Sequence, residues 1–147
     1  MMINPYDNKT KWPTRILKQW HNVLQSASLK AIPDEESVYD FNRAVNKDFR
    51  YIPEKVDNWK TPEEFVLHGG GDCEDFAIYK FFSLPYPKFL CVGMLNNKEA
   101  HAVLVLYAQE FESWVVLDNR TDNILTLEEY TQEFKPVYFC DTDYIYC

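Results

Sequence analysis

Gly69-Gly70-Gly71-Asp72-Cys73-Glu74-Asp75-Phe76-Ala77 is the stretch whose reading decides this chain. Three of the four glycines fall here, so the backbone can make a sharp, close-approach turn. A cysteine follows the run directly, at the start of an apolar-periodic segment. Asp72 reads as the N-cap of a helix with Cys73 in its first turn. Phe76, Ala77, Lys80, Phe81 and Leu84 continue the pattern until Pro85 stops it. A thiol at that position feels the positive end of the helix dipole and the free N–H groups of the first turn. Both favour the thiolate, the form that attacks a carbonyl carbon.

Upstream the chain reads helical. Ile16, Leu17, Trp20, Val23 and Leu24 form one stripe over residues 14–30. Val38, Phe41, Val45 and Phe49 form another over 35–50, behind Pro33-Asp34 as a start signal. Thr61-Pro62-Glu63-Glu64 is a capping box with proline at the first helical position, and its helix must end at the glycine run. Downstream the period changes to two. Phe89 to Leu95 and Ala100 to Ala108 read as strands joined by a turn at Asn96-Asn97, and Ser113 to Asp118 as a third strand. A second capping box, Thr126-Leu127-Glu128-Glu129, predicts a short helix to about Phe134, and Pro136 to Cys147 adds one or two strands. Helices followed by an antiparallel sheet is an α+β order, here one domain over 1–147.

A two-residue hairpin loop at Gln109-Glu110 would set His101 directly opposite Asp118. Their Cβ atoms would then be about 5 Å apart on one face. A one-residue error in loop length would send them to opposite faces. Taken alone, His101 is an ordinary strand residue and Asp118 a strand end before turn-forming Asn119. Together with Cys73 they make the set a thiol acyl-transfer enzyme needs: nucleophile, base and orienting acid.

Composition narrows the alternatives. A net charge of −8 and the lack of a basic stripe argue against nucleic acid. No apolar run is long enough to insert in a membrane. The N-terminus has neither a basic start nor an apolar core, so no export signal is visible and the chain reads as cytoplasmic as it stands. The cysteines are 73, 91, 140 and 147. With Cys73 a free nucleophile the other three cannot all pair, and Cys140–Cys147 is one conceivable bridge. Cys91 reads as a buried small hydrophobe, His68 as a loop residue at a helix end and His21 as a surface residue of the first helix. Trp59 suits a cleft wall and a core position equally. No zinc spacing is present.

Asp72, Glu74 and Asp75 pose a puzzle, because three carboxylates beside a nucleophilic cysteine should raise its pKa. Either they cap the helix and complement its dipole, or some of them bind a hard cation that offsets their charge.

Trp59-Lys60-Thr61-Pro62-Glu63-Glu64-Phe65, Gly71-Asp72-Cys73-Glu74-Asp75-Phe76-Ala77-Ile78, His101-Ala102-Val103-Leu104 and Leu117-Asp118-Asn119 together resemble the bacterial transglutaminase-like cysteine peptidases, the LapG-like family. The resemblance implies a papain-like or transglutaminase-like fold. It implies a thiol-dependent endopeptidase with Cys73, His101 and Asp118 as the triad, and protein or peptide substrates. It also implies calcium at Asp72 and Glu74, no organic cofactor, a periplasmic location and a regulatory receptor partner. Amine transfer or amide hydrolysis needs the same triad, and a non-catalytic binding module could keep the fold.

Overall fold

A computed structural model of the chain describes residues 2–3, 18, 21–24, 37–53, 59–84, 86–142 and 144–146. Of the helix expected over 14–30, Lys18 and residues 21–24 are among these, and they are helical. His21, expected at the surface, is instead buried at 2% exposure. It lies three residues before buried Leu24, so the two share the inward face of the helix.

The next helix, α1 (Val38–Asp48), begins at Ser37, later than the Pro33-Asp34 signal, which lies outside the described residues. The Ser37 hydroxyl accepts the Asp40 N–H at 3.1 Å, a local cap that fixes the start. Val38, Phe41 and Val45 point inward as their spacing requires, and Asn42 is buried beside them. Helix α2 (Pro62–His68) has the expected capping box at Thr61 and ends at Gly69 in the left-handed conformation. Helix α3 (Cys73–Ser83) follows the glycine run and is buried along most of its length. The rings of Phe49, Phe65, Phe76 and Tyr79 stack between these helices, with centroids 4.6–5.1 Å apart.

The helices cover one face of a seven-stranded antiparallel sheet. Its strands are β1 (Met2–Ile3), β4 (Lys88–Leu95), β5 (Glu99–Ala108), β6 (Ser113–Leu117), β7 (Leu125–Thr126), β8 (Phe134–Cys140) and β9 (Ile145–Tyr146), in the spatial order β1-β9-β8-β4-β5-β6-β7. A separate parallel pair joins β2 (Arg50–Tyr51) to β3 (Gly70–Gly71). Strand β5 is an interior strand, between β4 and β6. Leu104 and Leu106 face the helices, where they meet Phe81 and Leu84. Val103 and Val105 face away, toward Val116, Tyr130 and Phe134. Asn96 and Asn97 turn the β4–β5 hairpin, both with positive φ, which asparagine tolerates better than most residues. The architecture is the expected α+β arrangement of helices on an antiparallel sheet.

Two local expectations are corrected. The β5–β6 loop has four residues, because Gln109–Phe111 form a 3-10 turn and Glu112 takes the left-handed conformation before the strand resumes. Ala108 therefore faces Ser113 and Leu104 faces Leu117. The short helix α4 (Leu127–Tyr130) stops well before Phe134, which opens β8 opposite Leu95. Burying Phe134 in the sheet outweighs one further helical turn.

Candidate active site

The glycine run positions the cysteine by backbone contact. Gly70 has φ of +150°, and a Cβ there would lie 1.9 Å from the Arg50 carbonyl oxygen, so only glycine fits. That close approach lets Arg50 N–H donate to Gly69 O at 2.9 Å and Ile52 N–H to Gly71 O at 2.8 Å. Tyr51 is thereby fixed beside the start of α3. Asp72 takes the N-cap position, and its own N–H donates to Asp75 Oδ2 at 3.2 Å. Asp75 also accepts from Lys60 N–H at 2.9 Å and pairs with the Lys60 ammonium at 3.2 Å. One of the three acids is thus committed to structure, tying Lys60 and α2 to the cysteine turn.

Cys73, half-buried, opens with His101 onto a cavity of about 210 Å³ that Tyr51, Trp59, Asp72 and Glu74 also line. Trp59 serves both roles considered for it, since it is 7% exposed, part of the core and on the cavity wall. The sulfur lies against β5, where the Ala102 backbone N–H next to His101 favours the thiolate. His101 Nε2 meets Asp118 Oδ1 at 2.9 Å, with both side chains buried. The register that predicted this contact was two residues off. In the observed pairing Asp118 extends beyond β6 toward Val103 and meets His101 diagonally. An even shift keeps both side chains on one face, so the contact survives the error.

Burial would raise the Asp118 carboxyl, but the hydrogen bond and charge of His101 and the Arg120 guanidinium outweigh it. They hold the group well below the usual carboxylate range. Arg120 donates to Oδ2 from Nε at 3.0 Å and Nη2 at 2.8 Å, and its backbone N–H donates to Oδ1 at 3.1 Å. The Tyr130 hydroxyl donates to Oδ2 at 2.8 Å. Neither Arg120 nor Tyr130 was singled out from sequence. Arg120 could have been found as a cation two residues from the candidate acid. Tyr130 reaches the site only through the tertiary fold.

The thiol is the opposite case. Burial first, then the Glu74 charge, push it up, and the Cys73 S–H donates to Glu74 Oε2 at 3.3 Å. The pull of the helix start toward the thiolate is thus outweighed, and the carboxylates beside the cysteine oppose it as expected. In these surroundings the protonated form is favoured. Asp72 is pushed up to about 9 by burial and by the neighbouring Glu74 and Asp75 carboxylates. Its Oδ1 is buried with no hydrogen-bond partner. An unpartnered carboxylate oxygen in an anionic pocket fits a hard cation. Among the described residues, no group of three or more His, Cys, Asp or Glu side chains is arranged to hold a metal ion.

The remaining candidates lie elsewhere. His68 ends α2, exposed and away from the cavity lining. Cys91 is fully buried on β4, and burial pushes it up to about 12. Cys73, Cys91 and Cys140 are free thiols, and Cys147 lies outside the described residues. Among the described residues no helix is long and apolar enough to cross a membrane.

Comparison with known proteins finds a matching family and similar structures. The model of the bacterial transglutaminase-like cysteine proteinases matches residues 21–136. LapG of Legionella pneumophila has a similar structure, with a TM-score of 0.65 and 30% identity over 90% of this chain and 78% of that one. The same protein matches in an EGTA-treated form, with TM-score 0.65, 30% identity and coverage of 90% and 76%. Its calcium-bound form matches with TM-score 0.62, 28% identity and coverage of 90% and 78%. No curated protein sequence matches the chain.

Proposed function

From the premise that this chain belongs to the bacterial transglutaminase-like cysteine proteinases, we propose that it is a thiol endopeptidase in which Cys73, His101 and Asp118 act together. The observation that carries this reading is that His101, held by Asp118 at 2.9 Å, lines the same cavity as Cys73. With Nε2 directed at Asp118, Nδ1 is the ring nitrogen left to accept the thiol proton. Cys73 then attacks the peptide carbonyl, and His101 returns the proton to the leaving amine. Water, deprotonated by His101, hydrolyses the thioester and regenerates the thiol. Asp118 holds the tautomer and stabilises the imidazolium, while Arg120 and Tyr130 keep Asp118 ionised and in place. The Cys73 N–H, at a helix start, is available to the oxyanion.

Asp72 and Glu74 would hold calcium, whose charge would offset their carboxylates beside the thiol. The calcium-bound form of the Legionella relative supports calcium as the cation, and the buried, unpartnered Asp72 oxygen supports its place here. Substrates are proteins or peptides, and the acidic, aromatic-walled cavity is where a chain segment would enter.

The test is incubation with a mixed peptide library, with calcium or EGTA and with or without a primary amine, followed by mass spectrometry. Cleavage by water that disappears in Cys73→Ala is the expected result. Incorporation of the amine in place of cleavage would assign transglutaminase chemistry instead. Turnover retained in Cys73→Ala would overturn the nucleophile.

A further inference from the structure

Lys80 is the most unusual side chain outside the cavity. It stands on α3 within the apolar set Phe76, Ala77, Phe81, is fully buried, and has its Nζ 5.7 Å from the Phe76 ring centre. A buried amine must place its hydrogens on acceptors. It donates to Asn42 Oδ1 and Asn46 Oδ1, each at 2.7 Å, on the adjoining helix α1. This choice has a geometric consequence. With their oxygens turned to Lys80, both amides must turn their NH2 groups the other way. There Asn42 Nδ2 donates to Thr121 O at 3.2 Å, and Asn46 Nδ2 donates to Asp118 O at 2.9 Å and Thr121 O at 3.1 Å.

We propose that Lys80 is a positioning residue that, through Asn42 and Asn46, locks the loop carrying Asp118 against the helix carrying Cys73. The inference rests on the proposed Cys73–His101–Asp118 reading for its effect on turnover, though not for its effect on the His101–Asp118 pair. The arrangement joins both ends of the site. Cys73 opens α3, Lys80 lies two turns further along the same helix, and Asn46 passes its orientation to the backbone of Asp118. Burial lowers the lysine to about 7 while the charges of Asp118 and Asp122 partly offset that loss. Protonated or neutral, the amine keeps hydrogens for both asparagines. A shift of the 118–121 backbone by a fraction of an ångström would loosen the His101 contact, and geometry of that kind governs rate strongly.

The decisive variant is Asn46→Asp. It preserves the acceptor for Lys80 at the same size, yet replaces the donor facing the Asp118 and Thr121 carbonyls with an acceptor. Lys80→Met removes the origin of the arrangement, and Lys80→Arg asks whether another buried donor restores it. Three readouts are needed: thermal melting, the His101 ring nitrogens in long-range 1H–15N spectra, and kcat and KM on a peptide the native protein cuts. A folded Asn46→Asp variant should show His101 nitrogen shifts moved away from the Nε2-protonated pattern. Its kcat should fall on the order of tenfold with KM within about twofold. Unchanged ring shifts in that variant overturn the inference, whatever its activity. If Lys80→Met fails to fold, Asn46→Asp, half-buried on α1, still decides the matter. Activity retained in His101→Ala would sink the proposed triad instead, and the ring shifts would still judge Lys80 in the Asn46→Asp protein.

Discussion

Glu74→Gln should make Cys73 more reactive toward a small electrophile while leaving the protein a poorer peptidase. The carboxylate lies 3.3 Å from the sulfur and accepts a hydrogen bond from the thiol. At about 4 Å and an effective dielectric constant of about 20, a unit charge opposes thiolate formation by about 4 kcal/mol. The thiol is half-buried, so solvent screens part of this, and a retained effect of about 1.4 kcal/mol corresponds to roughly tenfold in thiolate fraction. The amide keeps the shape and removes the charge. The assay is iodoacetamide alkylation across pH in EGTA, with Cys73 resolved by peptide mapping. Buried Cys91 and Cys140 serve as slow internal references. The alkylation midpoint should move down in pH by about one unit in the variant. Calcium should move the native protein in the same direction and leave the variant unchanged, because the variant has lost a ligand. A midpoint that stays or rises in Glu74→Gln would refute the electrostatic account. A native midpoint indifferent to calcium would refute calcium at Asp72 and Glu74.

Cys73→Ala should abolish cleavage with a melting temperature near the native value, since a small half-buried side chain is lost; unfolding would mark a structural cysteine. Asp118→Asn should lower kcat without unfolding the sheet, by admitting the wrong histidine tautomer, and full activity would leave a Cys-His dyad. The depressed Asp118 carboxyl contributes stability that is present above its unfolded pKa of about 3.9 and is lost as pH falls below it. Denaturant melts should therefore show a smaller stability loss between pH 5 and 2 in Asp118→Asn than in the native chain, and equal acid sensitivity would remove that linkage. Tyr130→Phe removes one charge-assisted bond while Arg120 still holds Oδ2. A loss of about 1.5 kcal/mol is expected by urea denaturation, at the low end for hydrogen bonds to charge, and no change would assign Tyr130 to packing alone.

Much of the architecture was legible because its signals are local. The Thr61 box, the glycine run and the period-two stretches each dictate their own backbone, and the chain order then makes an α+β fold. Cys73 at a helix start, with Asp72 and Glu74 beside it, could be read from nine consecutive residues. The contact of His101 with Asp118 was also legible, although the hairpin loop was misjudged by two residues. Side chains alternate with a period of two, so an even error moves the partners along the sheet without changing their face. What one sequence segment could not convey was the sum of fields from segments far apart. The helix start argues for a thiolate and the adjacent carboxylates against it, both legible locally, but the burial that weighs most against the thiolate comes only with the tertiary fold. The Asp75 charge is spent on Lys60, and Asp118 is held by Tyr130 twelve residues on. Lys80 was visible as a cation inside an apolar stripe, but only the crossing of α1 and α3 reveals what its hydrogens hold. Local backbone preference is written in neighbouring residues, whereas desolvation and hydrogen-bond pairing depend on which distant atoms share the same few cubic ångströms. The fold alone decides that.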